Sequence, residues 1–226
     1  MAPIIAELFT AILPQGELPK GFHNSTIRDI PKPGDTCNPQ NYRPISLLNV
    51  DYRIFGFILK ERLTTSLQQL IPDTQTAFLP GRQAAQNIWI LQALQQRLEQ
   101  ENDWALLAIC DFMKAYDTIN RAFLLEICKR LQLPEYMQKW IGMILSHTKG
   151  RVFVNNCFSD YQYFEAGLRQ GCPASPALYL LIGFMLSKLV QSTYIGIHLK
   201  TPIHHRRSSR GTTTVRRQNM SPTICG

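Results

Sequence analysis

Seven residues, Trp104 to Cys110 (Trp-Ala-Leu-Leu-Ala-Ile-Cys), form an unbroken apolar run that stops abruptly at Asp111. A run of this length has neither the period of an amphipathic helix nor the alternation of a half-wet strand. It predicts a strand buried on both faces. A carboxylate at the end of such a strand is held rigidly and points into whatever cleft lies beyond the sheet edge. The elements around the run must then supply its cover.

Helical periods flank it on both sides. Ile4, Ile5, Leu8, Phe9 and Ile12 predict a short first helix stopping at Pro14. Ser25 to Ile30 reads as a strand, followed by a turn at Pro31-Lys32-Pro33-Gly34. Asn49 or Asp51 can cap a long helix carrying Ile54, Phe55, Ile58, Leu59, Leu63, Leu67 and Leu70. Ile88, Leu91, Leu94 and Leu98 mark another amphipathic helix. Beyond Asp111, one helix begins near Asn120 and stops near Pro134, and a second holds Met137, Trp140, Ile141, Ile144 and Leu145. Arg151 to Phe164 looks like a hairpin turning at Asn155-Asn156. Ser175-Pro176 opens a last helix, with Ser as cap and Pro at the first helical position.

Composition excludes some classes. The 226 residues are 45% apolar and 10% aromatic, too rich in core formers for a mostly disordered chain. The formal charge is +8, but six basic residues and no acid follow Leu199, so the body of the chain is nearly neutral. Net charge alone is therefore a weak argument for nucleic acid. The six cysteines form no Cys-x-x-Cys pair. Cys110 and Cys128 lie in apolar runs and read as core residues of a reducing compartment. The N-terminus lacks the basic start of a secretory signal, and the apolar stretch 177–186 is too short to span a bilayer. An intracellular, soluble protein is expected, its compartment open between cytoplasm and nucleus.

Four segments could carry chemistry. In Asp111-Phe-Met-Lys-Ala-Tyr116-Asp117, a strand-end carboxylate and the next backbone carbonyl can offer two of the oxygen ligands that Mg²⁺ requires. Equally, Asp111 ends a strand and Asp117 caps the next helix. In Gly167-Leu-Arg-Gln170-Gly171-Cys-Pro-Ala-Ser175-Pro176, Gly171 permits a tight turn and the helix start offers amides to an anion. A capped turn explains the same residues. Lys32 and Arg43 could grip a triphosphate or be two surface cations. Gln75 to Arg82 is a turn with one cation.

Taken in order, residues 41–54, 75–82, 111–120 and 168–179 resemble the reverse transcriptase domain of LINE-type (non-LTR) retrotransposons, a likeness running from about residue 3 to about residue 197. The resemblance implies an α+β fold, the fingers and incomplete palm of a right-hand polymerase. Fingers would span residues 1–104, with the 150–166 hairpin packed on them, and a partial palm residues 105–199. Residues 200–226, Ser/Thr/Arg-rich with no apolar period, read from composition as a disordered basic tail, either out of the preceding frame or a basic arm for RNA phosphates. The implied function is RNA-directed DNA synthesis from an RNA template, a DNA primer and dNTPs with two Mg²⁺ ions. Asp111 matches the first catalytic aspartate and, with the Phe112 carbonyl, a metal ligand. Tyr116 matches the steric gate against a 2′-hydroxyl. Lys32 and Arg43 match fingers residues near the triphosphate, Gln170 and Gly171 the loop beside the templating base, and Asp117 a supporting acid. Ala77 stands where glycine is usual.

The sequence departs from that pattern in one respect. It contains no Asp-Asp pair, and Glu165 is its last acidic residue. Two-metal phosphoryl transfer needs several bridging carboxylates. The chain is therefore expected to lack polymerase activity, the rival readings being an RNA-binding remnant or a pseudogene product. Loss of the hairpin that bears the pair should leave the edge of the 104–110 strand uncovered.

Overall fold

The structure is a computed structural model describing residues 2–193. The basic tail expected after residue 199 lies outside those residues.

Helix α1 (Ala2–Gln15) turns Phe9 and Ile12 inward and runs one residue past Pro14 before Gly16 ends it with φ +76°. Proline in the last turn sacrifices a single hydrogen bond, so it does not stop the helix where the sequence suggested. Helix α2 (Val50–Leu70) is the central beam of the core. Its Tyr52, Phe55, Leu59, Leu63 and Leu67 recur every three or four residues and are all buried. Asn49 occupies the N-cap position without capping: its amide donates to the Gly21 carbonyl, and the Asp51 carboxylate accepts from the Tyr52 amide.

Helices α4 (Arg121–Arg130), α5 (Glu135–Leu145) and α6 (Ser175–Thr193) close over α2, after α3 (Ala85–Glu101) has passed along the surface. Asn120 caps α4 as expected, its side chain accepting from the Phe123 amide. Ser175 does not cap α6. It is buried, and its hydroxyl donates to the Arg169 carbonyl.

The sheet is small and mixed. β1 (Asn24–Pro31) pairs antiparallel with β2 (Tyr42–Leu48) and parallel with β3 (Lys149–Val154). β4 (Cys157–Phe158) and β5 (Gln162–Tyr163) both return antiparallel on β3. Asn155 and Asn156 turn the hairpin with φ +50° and +61°, the left-handed pair that a two-residue loop needs.

The buried strand predicted at 104–110 is overturned. Residues 103–112 form an irregular segment, and Trp104, Leu106 and Ile109 are 84%, 90% and 86% exposed. Among the described residues no strand pairs with it. An apolar run acquires strand geometry only when a neighbour takes its backbone groups, and here Ala105 to Leu107 share a pocket with Leu91, Leu94 and Leu98 of α3, a helix that has no free backbone groups to offer along its length. Cys110, read as core, is accordingly exposed, whereas Cys128 is buried and its thiol pushed up to about 11 by desolvation. Among the described residues no helix is long and apolar enough to cross a membrane.

Candidate functional site

The connection from β5 to α6 is where separate parts of the sequence meet. β2 is an edge strand, and its outer edge is covered by the 167–171 loop: the Ser46 amide donates to the Gln170 carbonyl at 2.7 Å. Gly171, at φ +113°, lies so close that an added β-carbon would stand 2.5 Å from the Ser46 carbonyl oxygen. Four residues earlier Gly167 (φ +80°) makes the same approach to Asp117, with 2.7 Å left between a β-carbon and the Asp117 carbonyl oxygen. The amides of Gly167 and Leu168 donate to Ile119 and Tyr116, both at 2.8 Å. Two glycines thus let one loop bind β2 on one side and the 116–119 turn on the other.

The loop, β1, β2 and α4 enclose a cleft of about 270 Å³, with Ile27, Pro44, Ser46, Asp117, Arg121 and Gln170 in its walls. Asp117 is exposed, and its carboxylate accepts a long hydrogen bond, 3.5 Å, from the Gln170 amide. Tyr116 is half-buried and stacks on Tyr179 of α6, centroids 5.1 Å apart and planes 13° from parallel. Burial raises its phenol above the ordinary value, and Tyr179 adds to the shift.

Two arginines hold the loop, and neither was singled out in the sequence. Arg121 donates to the carbonyls of Leu145, Phe164, Ala166 and Gly167. Arg169 is buried, donates to the His23 carbonyl and stands 5.1 Å from the Tyr52 ring centre. Its Nε and Nη1 have no hydrogen-bond partner among the described residues. Burial lowers the basicity of both guanidiniums and, with Arg169 and His147 nearby, brings His23 down to about 4. One sequence signal could have pointed to Arg121. A cation on the first turn of α4 faces the positive end of the helix dipole, so something else must recommend it.

The remaining expected residues lie elsewhere. Asp111 is exposed on the irregular segment, its carboxylate folded back to accept from the Phe112 amide at 3.0 Å. Phe112 contributes to a separate apolar pocket with Tyr179 and Leu186. Lys32 donates to the Gln40 carbonyl at the tip of the β1–β2 hairpin. Arg43 pairs across from Ile30, and strand alternation puts it on the face opposite Pro44 and Ser46. The sequence-predicted residues therefore fall into three places: Tyr116, Asp117, Gln170 and Gly171 around the loop, Asp111 and Phe112 on the irregular segment, and the two cations on the hairpin.

This arrangement does not fit a two-ion metal centre. Among the described residues no group of three or more His, Cys, Asp or Glu side chains is placed to hold a metal ion. One carboxylate and one carbonyl leave most of an octahedral shell unfilled.

The chain is thus an α+β protein whose glycine-bearing loop clasps an edge strand and an Asp-bearing turn. The family model described as reverse transcriptase (RNA-dependent DNA polymerase) matches residues 30–201, and the chain belongs to that family. It is similar to the transposon TX1 149 kDa protein of Xenopus laevis, 26% identical over 89% of this chain and 15% of that protein. It is also similar to the Pol polyprotein of the type-1 retrotransposable element R2 of Nasonia vitripennis, 29% identical over 84% of this chain and 18% of that protein. The RNA-directed DNA polymerase of the mobile element jockey of Drosophila funebris is 28% identical over 76% and 19%. The chain thus spans less than a fifth of the length of these relatives. It is a reverse transcriptase domain homologous to those of non-LTR retrotransposons.

Proposed function

We propose that this chain supplies the fingers, residues 1–104 with the 150–166 hairpin, and part of the palm, residues 105–199, of an RNA-directed DNA polymerase acting on an RNA template, a DNA primer and dNTPs. The observation that carries this reading is the joining of Gln170-Gly171, Asp117 and Ser46 around one cleft by backbone contacts that only glycine permits. In this reading the cleft bears on the nucleotide through Gln170 and Gly171. Tyr116, backed by Tyr179, is the flat wall that excludes a 2′-hydroxyl. Asp117 holds Gln170. Lys32 and Arg43 neutralise phosphate from the hairpin. Asp111 and the Phe112 carbonyl are this chain's contribution to a divalent metal, Mg²⁺ by chemistry.

The polypeptide by itself does not polymerise in this reading, because no carboxylate follows Glu165 to join Asp111. The test is a chimaera in which residues 30–193 replace the matching segment of the jockey polymerase. RNA-templated primer extension that disappears with Asp111→Ala, while the 226-residue chain alone extends nothing, supports the reading. Extension by the folded chimaera that is indifferent to Asp111→Ala, or Asp111-dependent extension by the chain alone, overturns the corresponding half.

A further inference from the structure

The outer face of the sheet carries a pattern that the cleft does not use. Register and alternation put Arg28 of β1, Lys149, Arg151 and Phe153 of β3, Phe158 of β4 and Tyr163 of β5 on one side. The contacts agree. The Arg28 guanidinium stands 4.4 Å from the Phe153 ring centre. Arg151 lies 3.9 Å from Phe158 and 5.3 Å from Tyr161, and Lys149 lies 5.3 Å from Tyr161 and 5.8 Å from Tyr163. These rings are not core: Phe158, Tyr161 and Tyr163 are 52%, 39% and 68% exposed.

The charge on this face is one-sided. Asp29, the only acid of β1, alternates to the opposite face with Ser25 and Ile27. Asp160 and Glu165 flank β5, and among the described residues neither forms an ion pair with Lys149 or Arg151. Exposed flat rings interleaved with cations on an open sheet match one ligand chemistry. Bases stack on rings whatever their sequence, and phosphates lie against the cations. A duplex offers no free base faces, and a simple polyanion such as a run of carboxylates offers no rings, so neither uses both halves of the pattern.

We propose that the β3–β4–β5 face is a sequence-tolerant binding surface for single-stranded RNA, separate from the Gln170–Asp117 cleft. The choice of RNA over DNA rests on the reverse transcriptase reading; the single-stranded polynucleotide rests on the geometry.

The experiment is fluorescence anisotropy of the full 226-residue chain with labelled oligouridylate of about 12 nucleotides, a length within a stacking groove's site size. Oligodeoxythymidylate and an RNA duplex of equal length are run in parallel over a salt series. It needs no metal, primer or nucleotide, so its outcome is independent of primer extension. Tyr161→Ala with Tyr163→Ala is expected to weaken RNA at least about tenfold with an unchanged salt slope. Lys149→Gln with Arg151→Gln is expected to lower the slope by about 1.4, two phosphates' worth. Tyr163→Ala alone, at a side chain 68% exposed, is expected to weaken binding measurably while leaving the urea unfolding curve of the chain in place. Unchanged affinity in all three variants overturns the proposal. So does loss of all affinity on replacing the six basic residues after Leu199 with Gln. Equal binding of the duplex overturns the single-strand claim, and equal binding of the deoxy strand overturns the choice of RNA.

Discussion

Gly171 and Ser46 touch backbone to backbone: the Ser46 amide is bonded to the residue before Gly171, and a β-carbon on Gly171 would stand 2.5 Å from the Ser46 carbonyl oxygen. This contact couples the loop before α6 to the edge of the sheet, 125 residues away in sequence. At φ +113°, relief by local rotation is not open to an L-residue. Gly171→Ala should therefore cost about 2–4 kcal/mol, strain plus a displaced hydrogen bond, by urea unfolding. Gly81→Ala is the control. It shares a positive φ (+76°) but meets no atom within 4 Å, and should cost about 1 kcal/mol. Equal losses would show that conformation, not contact, sets the requirement at Gly171.

Arg121 gathers four carbonyls from two separate stretches of chain, Leu145 and residues 164–167. Lysine preserves the charge but cannot fork. Arg121→Lys should lose about 2–4 kcal/mol, since charged hydrogen bonds are each worth roughly 1.5–3 and buried carbonyls would be left unsatisfied. A thermal shift in Arg121→Lys as small as that of a surface variant such as Arg53→Lys would refute the strut.

His23 sets a pH window. Burial, then Arg169 and His147, lower it from 6.5 to about 4, so the unfolded chain binds the proton more readily than the folded one. Its contribution to stability is complete above pH 6.5 and is lost as pH falls toward about 4. In urea titrations from pH 7 to 4, His23→Gln should flatten part of that fall. An identical pH slope in the variant would place the acid sensitivity elsewhere.

Tyr179 backs Tyr116 with its ring and perturbs it with its hydroxyl. Tyr179→Phe keeps the stack and should move the Tyr116 titration part of the way back toward 10.0, because burial is the larger cause. Tyr179→Ala should also cost about 1–3 kcal/mol through lost ring contact and burial. NMR of ring-labelled tyrosine resolves both.

The irregular segment is a liability rather than a support. Leu106 and Ile109 are almost fully exposed, so Leu106→Ser with Ile109→Lys should leave the unfolding free energy within about 0.5 kcal/mol of wild type in urea and reduce light scattering on concentration. A large loss of stability would mean that the run is buried in solution.

Local pattern determined much of this protein. The period of Tyr52 to Leu67, the Asn120 cap and the Asn155-Asn156 turn are set by residues a few positions apart, so they could be read from the chain directly. The family likewise follows from short motifs in a fixed order. Whether Trp104 to Cys110 becomes a strand is not a local property. The apolar run is necessary, but a partner for its backbone is required too, and none of the described residues supplies one. The arginines that hold the loop were equally hidden, because a guanidinium's role depends on which carbonyls reach it, and those of Arg121 come from Leu145 and the 164–167 stretch. Sequence determined which elements could form. Tertiary packing decided which were covered, since burial and hydrogen-bond completion depend on neighbours that are distant along the chain.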